Sequence, residues 1–492
     1  MNILKKSIIL MYIIFILTAN DLYANSTNDE LRVTLKKSKI TLDPGGIRDT
    51  QSLFISRQVD CELIRSQGST YVLEAAESIN YLSPLKIKIK INDKVKFHDG
   101  SPIRADDILA SFDYIKKSKT VFDHFFSWID KIYAIDDKTI ELDLKKEVPQ
   151  LLIALSSSNY PIYKKEFLEK AKIDATLWKK PLGCGKYRVA EFKDNEIGLI
   201  PISQGLPIRF SLVSKNQIES KELSKYDIVN LNILEKSQEI KDFNLIELLS
   251  PKQFFIGLNS RSKLWKNKYE RCSFLSKVNI SKDTLKKYGK DLVPANDLLP
   301  KDIFGYSKEA NFNEQLVKSA RKYKNTISPL KAQSFCLAYL VVSVQENQKK
   351  LYLDMFKKIY PNASLKPIFN VKQFGKKFVD DHCDAIILAL VADYFDGYEI
   401  LTVFEDNKAN FTGVIDEKLA KKIINSQYIS NSLSRANEYR DIINDIADLC
   451  VVKPIFTSSI KKIYVRKNLK TPGIGLSSLH QYFLGNISRD KM

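Results

Sequence analysis

The strictest alternation of apolar and polar residues lies at Leu85–Ile91, which reads LKIKIKI. A period of two places successive side chains on opposite faces, so this stretch is predicted as a strand with one buried face and one lysine face. Leu31-Arg32-Val33-Thr34-Leu35 alternates in the same way and is predicted as the first strand. Val95 and Phe97 continue as a strand, expected to pair with Leu85–Ile91 across Asn92-Asp93-Lys94. The chain then turns at His98-Asp99-Gly100-Ser101-Pro102, where Gly100 can take positive φ and Asp99 can bond backbone two residues on. After Ala105 the period changes. Ile108, Ser111, Phe112 and Ile115 recur at three- and four-residue spacing, and Asp106 and Asp107 fall in the first turn, where carboxylates meet the positive end of a helix. Ile132–Leu144 reads as two strands joined at Asp136-Asp137-Lys138, and Tyr187–Phe192 as another strand. Ile386–Val391 is an unbroken apolar run, consistent with a strand buried on both faces. Helices are predicted at Asn313–Tyr323, at Asp416–Ile424 with Asp416 as N-cap, and at Ser434–Leu449.

The chain has 492 residues. That length implies two or three lobes at about 100–200 residues each. Lys5 and Lys6 precede Ile8–Ala19, an uncharged and almost wholly apolar run of twelve residues. This is short of the ~18–20 that a spanning helix needs, and Leu22-Tyr23-Ala24 offers a cleavage site, so residues 1–24 are expected to be a signal peptide rather than a retained anchor. The net charge of +19 is dispersed in short runs. Such dispersion argues for a solvated surface, not a nucleic-acid groove, though the excess suits an anionic membrane surface or an acidic ligand. Six cysteines stand apart without a C-x-x-C pair, and four histidines are scattered. Neither a metal site nor a cofactor is expected. In an oxidising compartment one or two disulfides could form, in a pairing the sequence leaves open. Neither G-x-S-x-G, H-E-x-x-H nor Walker A occurs. The S-x-x-K matches at Ser260 and Ser458 lack the S-D-N and K-T-G that would give them meaning, so no catalytic residue is assigned and the chain is read as a non-enzyme.

Phe97-His98-Asp99-Gly100, a Pro, and then Ala105-x-Asp107-x-x-x-Ser111-Phe112 resemble the signature of the family 5 extracellular solute-binding proteins, which include the oligopeptide- and dipeptide-binding receptors of ABC importers. Further matches are Leu42-Asp43-Pro44, Ala76-Glu77-Ser78, Pro181–Tyr187 (with Cys184 and Lys186 departing from the family's Thr and Pro), Tyr226–Val229, Phe255–Asn259, Arg271, Arg435 with Tyr439, and Pro454-Ile455-Phe456. The resemblance implies an α/β fold of the periplasmic binding protein type II-like class: two lobes with a hinge plus an inserted subdomain. It places lobe I at 25–57, 169–254 and 458–492, the insert at 58–168 and lobe II at 255–457, with crossings near 255 and 457.

It also implies a function. A short peptide would be captured in an interlobe cleft and delivered to an ABC permease in the inner membrane by an exported, periplasmic, monomeric protein that meets no nucleic acid. Ala392-Asp393-Tyr394 resembles the A-D-Y of peptide-binding members, whose Asp holds the ligand's α-ammonium while the preceding strand pairs with the peptide backbone. The competing reading is a strand-end Asp satisfied by backbone or water. Leu390 stands where the family often has Trp, and Tyr394, Phe395 or Tyr398 could replace that aromatic wall or belong to the core. Arg48, Asp49 and Thr50 occupy the loop that in the family lends backbone groups to the ligand, or form an ordinary surface loop. The same fold elsewhere carries nickel chelates, sugars or opines, and a non-transport receptor or chaperone-like module is the other alternative.

Overall fold

The structure, a computed structural model, describes residues 30–47, 49–67, 70–118, 124–214, 220–230, 240–265, 267–288, 292–301, 303–322, 334–340, 344, 346–368, 383–392, 394–405, 410–472 and 484–489. The expected signal segment, 1–24, and two expected site residues, Arg48 and Asp393, lie outside these residues.

Two long strands organise the molecule. Phe243–Leu258 and Val452–Arg466 pair antiparallel, from Phe243 opposite Arg466 to Gly257 opposite Val452. At about 3.3 Å per residue each spans roughly 50 Å, enough to serve two bodies in turn. At one end Val452–Arg466 pairs with Ile228–Asn230, which pairs in parallel with Leu31–Lys36. Leu31–Lys36 runs parallel to Ile208–Val213, and two antiparallel strands, Glu196–Pro201 and Tyr187–Lys193, complete lobe I. At the other end Phe243–Leu258 pairs with Ala385–Val391, followed by Phe335–Leu340 and Ala363–Ile368 in lobe II. The ladder between the two long strands is irregular between Leu249 and Lys252 and again between Phe254 and Phe255, the second at the crossing expected near 255.

The insert is a four-stranded antiparallel sheet in the order Ala76–Ser83, Lys86–Ile91, Thr139–Leu144, Ile129–Asp136. Ile87, Ile89 and Ile91 are fully buried, as the alternation requires, and the Ala105–Lys117 helix buries Ile108, Phe112 and Ile115 in the same core. Val95–Phe97 does not pair with Lys86–Ile91 as expected. That strand already has a neighbour on each edge, and Lys96 makes only an isolated bridge to Pro102. The Lys165–Ile173 helix packs on Ala105–Lys117: Phe167 and Trp178 meet Tyr114 and Ala110, and Asp107 accepts from the Lys165 N–H at 2.9 Å. A boundary at 168 would cut this helix; the insert's packing continues to Trp178.

The two sequence fingerprints meet each other. Gly100 has φ +82° and Asp99 accepts from the Ser101 N–H at 2.9 Å, the turn read from sequence. The His98 N–H donates to the Gly183 carbonyl at 2.9 Å, and a His98 ring nitrogen lies 3.1 Å from the Gly185 carbonyl. Gly183 and Gly185 are required by closeness rather than by a bend in φ. A Cβ at either would fall 2.4–2.7 Å from the Val59 backbone, to which the Gly185 N–H donates at 2.8 Å.

All six cysteines pair, one bridge more than the upper expectation: Cys61–Cys184, Cys272–Cys450 and Cys336–Cys383. The first clamps the two chain passages between lobe I and the insert. Buried apolar side chains form a continuous cluster from the insert into lobe II, whereas lobe I keeps its own around Val33, Ile55 and Phe210.

Candidate functional site

A cavity of about 700 Å³ opens between the insert and lobe II. The insert supplies Pro149, Gln150 and Ile153; lobe II supplies an apolar wall of Ile303, Phe304, Tyr306 and Phe395. Its charged members are Lys301, Lys308, Asp396 and Arg435.

The wall is built by a short bridge. The Phe304 N–H donates to the Phe395 carbonyl at 3.3 Å and the Gly397 N–H to the Phe304 carbonyl at 3.0 Å, which brings 303–306 alongside 395–397. Gly305 makes this possible. It has φ +93°, and a Cβ there would lie 2.6 Å from the Tyr439 ring. Asp396, 2% exposed, is held from three directions. The Tyr439 hydroxyl donates at 2.7 Å, the Tyr398 N–H donates at 2.9 Å, and the Arg435 guanidinium lies 3.5 Å away. Burial raises the Asp396 carboxyl, and Arg435 and these hydrogen bonds oppose the rise. The Arg435 guanidinium also stacks 4.4 Å from the centre of the Phe304 ring. Arg435 and Tyr439, four residues apart on the Ser432–Leu449 helix, thus act together to fix Asp396.

Gln150 differs from Asp396. It stands at the N-terminal end of the Leu151–Leu155 helix without capping it, is 1% exposed, and neither atom of its carboxamide meets a protein partner. Buried carboxamides are normally paired, so this residue of the cavity wall keeps unused donor and acceptor capacity just beneath the surface.

Side chains also fasten the insert to lobe II across the cavity's border. The Trp128 indole donates to the Gln427 side-chain carbonyl, and its ring lies 6.3 Å from that of Tyr398. The Lys146 ammonium sits 4.6 Å over the Tyr428 ring.

The residues expected from sequence are not gathered here. Asp49 is the N-cap of the Thr50–Val59 helix, accepting from the Gln51 and Ser52 N–H groups at 3.1 and 3.0 Å. Its carboxylate is therefore engaged in holding the helix start, and Thr50 lies in the exposed first turn. Leu390 is opposite Gln253 in the ladder and partly buried, and Ala392 is buried. Tyr394 is buried; its hydroxyl has no partner, and its N–H donates to Glu399 at 3.3 Å. None of these five lines the cavity, whereas their chain neighbours Phe395 and Asp396 do. Gln150 and Asp396 were missed. The i, i+4 pair of Arg435 and Tyr439 was a legible sign that something polar lay opposite. Gln150 carried none beyond a polar residue placed against the apolar run Leu151–Leu155. No group of three or more potential metal ligands occurs among the described residues, nor a helix long and apolar enough to cross a membrane.

Residues 70–199 match the middle region of the bacterial extracellular solute-binding proteins, family 5. A Brucella ovis protein named as an ABC transporter peptide-binding protein is 23% identical over 300 residues, covering 56% of this chain and 57% of that relative; the chain thus spans little more than half of the curated relative it matches. The murein tripeptide binding protein of Escherichia coli superposes with a TM-score of 0.77 at 16% identity, over 94% of this chain and 99% of its own. A Helicobacter pylori ABC-transporter-associated periplasmic binding protein, solved with the peptide STSA, gives 0.76 at 15% identity, over 94% and 98%.

Proposed function

We propose, for a chain that belongs to the family 5 bacterial extracellular solute-binding proteins, that it captures a short peptide between its lobes and hands it to an ABC permease. The observation that carries this reading is the cavity walled on one side by the insert and on the other by lobe II, in a molecule whose lobes share two continuous strands. A ligand seated there touches both walls only when they are close, so it stabilises the closed arrangement by its differential affinity. The strand Ala385–Val391 leads directly to the cavity wall, and an extended peptide beside it would be read through its backbone, independently of side chains. Export is supported by the leader-like residues 1–24 and by three disulfides, which persist in oxidising compartments. The protein is read as periplasmic, monomeric and without enzymatic turnover.

Thermal melting and calorimetry of the mature protein against a peptide library test this reading. Stabilisation by at least one peptide is expected; stabilisation only by a different class of solute would reject it. Asp393→Ala should weaken binding of such a peptide by more than about 1 kcal/mol if that carboxylate meets the ligand's ammonium.

A further inference from the structure

The cavity's polar groups are unequal in a way that specifies what could satisfy them. Asp396 is already engaged by Tyr439, the Tyr398 N–H and Arg435. Lys301 and Lys308, both exposed on the wall, make no ion pair with any described residue. The free charge of the described wall is therefore positive. Arg435, 7% exposed, keeps its Nε without a partner although its terminal nitrogens are occupied. Opposite, Gln150 presents a buried carboxamide with both atoms unused. A carboxamide offers an acceptor and donors side by side, which complement the N–H and C=O of another amide. Leaving it buried and unpaired costs free energy that a ligand amide would recover.

We propose that this cavity receives an acidic, amide-bearing part of the ligand: Gln150 pairs with its amide, and the ammonium groups of Lys301 and Lys308 face its carboxylate. This rests on the peptide-capture reading and narrows it to peptides with an acidic side chain seated at this border. The apolar members Ile153, Ile303 and Phe395 line the cavity beside these groups and would cover the apolar part of the ligand. Gln150 is the residue through which the insert reads the ligand.

An equimolar random tripeptide library, passed over the mature protein by ultrafiltration and read by mass spectrometry, tests this. The retained set should be enriched at least threefold in Asp and Glu over Lys and Arg. The best-retained acidic peptide should lose at least tenfold in affinity with Gln150→Leu, and again with the double variant Lys301→Glu/Lys308→Glu, each at unchanged melting temperature. Should Gln150→Leu melt early, Gln150→Glu, which has nearly the same shape, replaces it with the same expected loss. Retention without acidic enrichment, or wild-type affinity in either variant, overturns this inference and leaves peptide capture standing. Retention of no peptide overturns both.

Discussion

The insert has two borders, and they are built from different chemistry. Toward lobe I it is stitched by covalent and polar bonds. Cys61–Cys184 ties the two chain passages, and the Tyr114 hydroxyl of the insert donates to Asp43 of lobe I at 3.0 Å. Around them Arg57, Glu62, Arg65 and Glu74 form a largely buried charge cluster, with Arg65 bonded to Glu74. Toward lobe II it has neither disulfide nor chain passage among the described residues. It has apolar packing, the Trp128–Gln427 bond, the Tyr398 and Tyr428 ring contacts, and the cavity with an unpartnered Gln150. The first border resists separation because breaking it exposes a bridge and buried charges. The second is held by non-covalent contacts alone among the described residues: parting it would uncover part of the apolar cluster shared with lobe II, together with an indole and a carboxamide that water can satisfy. The insert is thus joined to lobe I by the chain and a disulfide, and to lobe II by packing and a few polar contacts.

Removing the bridge at the first border should have the largest effect. Cys61→Ser with Cys184→Ser releases a constraint across 123 residues of sequence, and a loss of about 2–5 kcal/mol in unfolding free energy is expected by denaturant titration. A loss confined to a few tenths would mean that the polar cluster alone holds the border.

The next effect is a pH dependence inside the insert, at Asp60 beside the bridged Cys61. Burial pushes the Asp60 carboxyl up to about 7, against the hydrogen bonds from Ser56 and Tyr163. In the unfolded chain this group titrates near 4. Its contribution is therefore fully present below about pH 4 and is lost as pH rises toward 7, because the unfolded state releases the proton first. Asp60→Asn should remove that part of the slope, so the wild-type and variant stability curves should diverge between pH 4 and 7 and run parallel above. Curves parallel throughout would show that Asp60 is already ionised in the native state. Lys453 provides the mirror case in lobe II. It is buried, donates to the Leu275 carbonyl at 2.8 Å, and is lowered to about 8 by burial. Its contribution is present above about pH 10 and is lost as pH falls through 8. Lys453→Met should flatten that window in the same titration.

The smallest effect belongs to the second border and concerns shape more than stability. Gln427→Ala removes the acceptor of the Trp128 indole without hollowing the aromatic core. It should shift the open–closed balance by about 1 kcal/mol, the usual worth of one hydrogen bond. Small-angle scattering of the ligand-free variant should then give a larger radius of gyration at nearly unchanged melting temperature. An unchanged radius with a lowered melting temperature would make this border part of the rigid body after all.

Local pattern determined a large part of this molecule. Alternation fixed which face of Lys86–Ile91 is buried, and helical spacing fixed the buried side of Ala105–Lys117. Asp99 and Gly100 fixed the turn between strand and helix, because an Asx bond and a positive φ are properties of single residues. Tertiary structure decided what depends on contacts far apart in the chain. It brought Val59 against Gly183 and Gly185, chose three bridges among six cysteines, and gave Lys86–Ile91 neighbours other than Val95–Phe97. It also placed Gln150 opposite Arg435, 285 positions later, since the burial of a polar side chain and the absence of its partner are set by packing rather than by the adjacent residues.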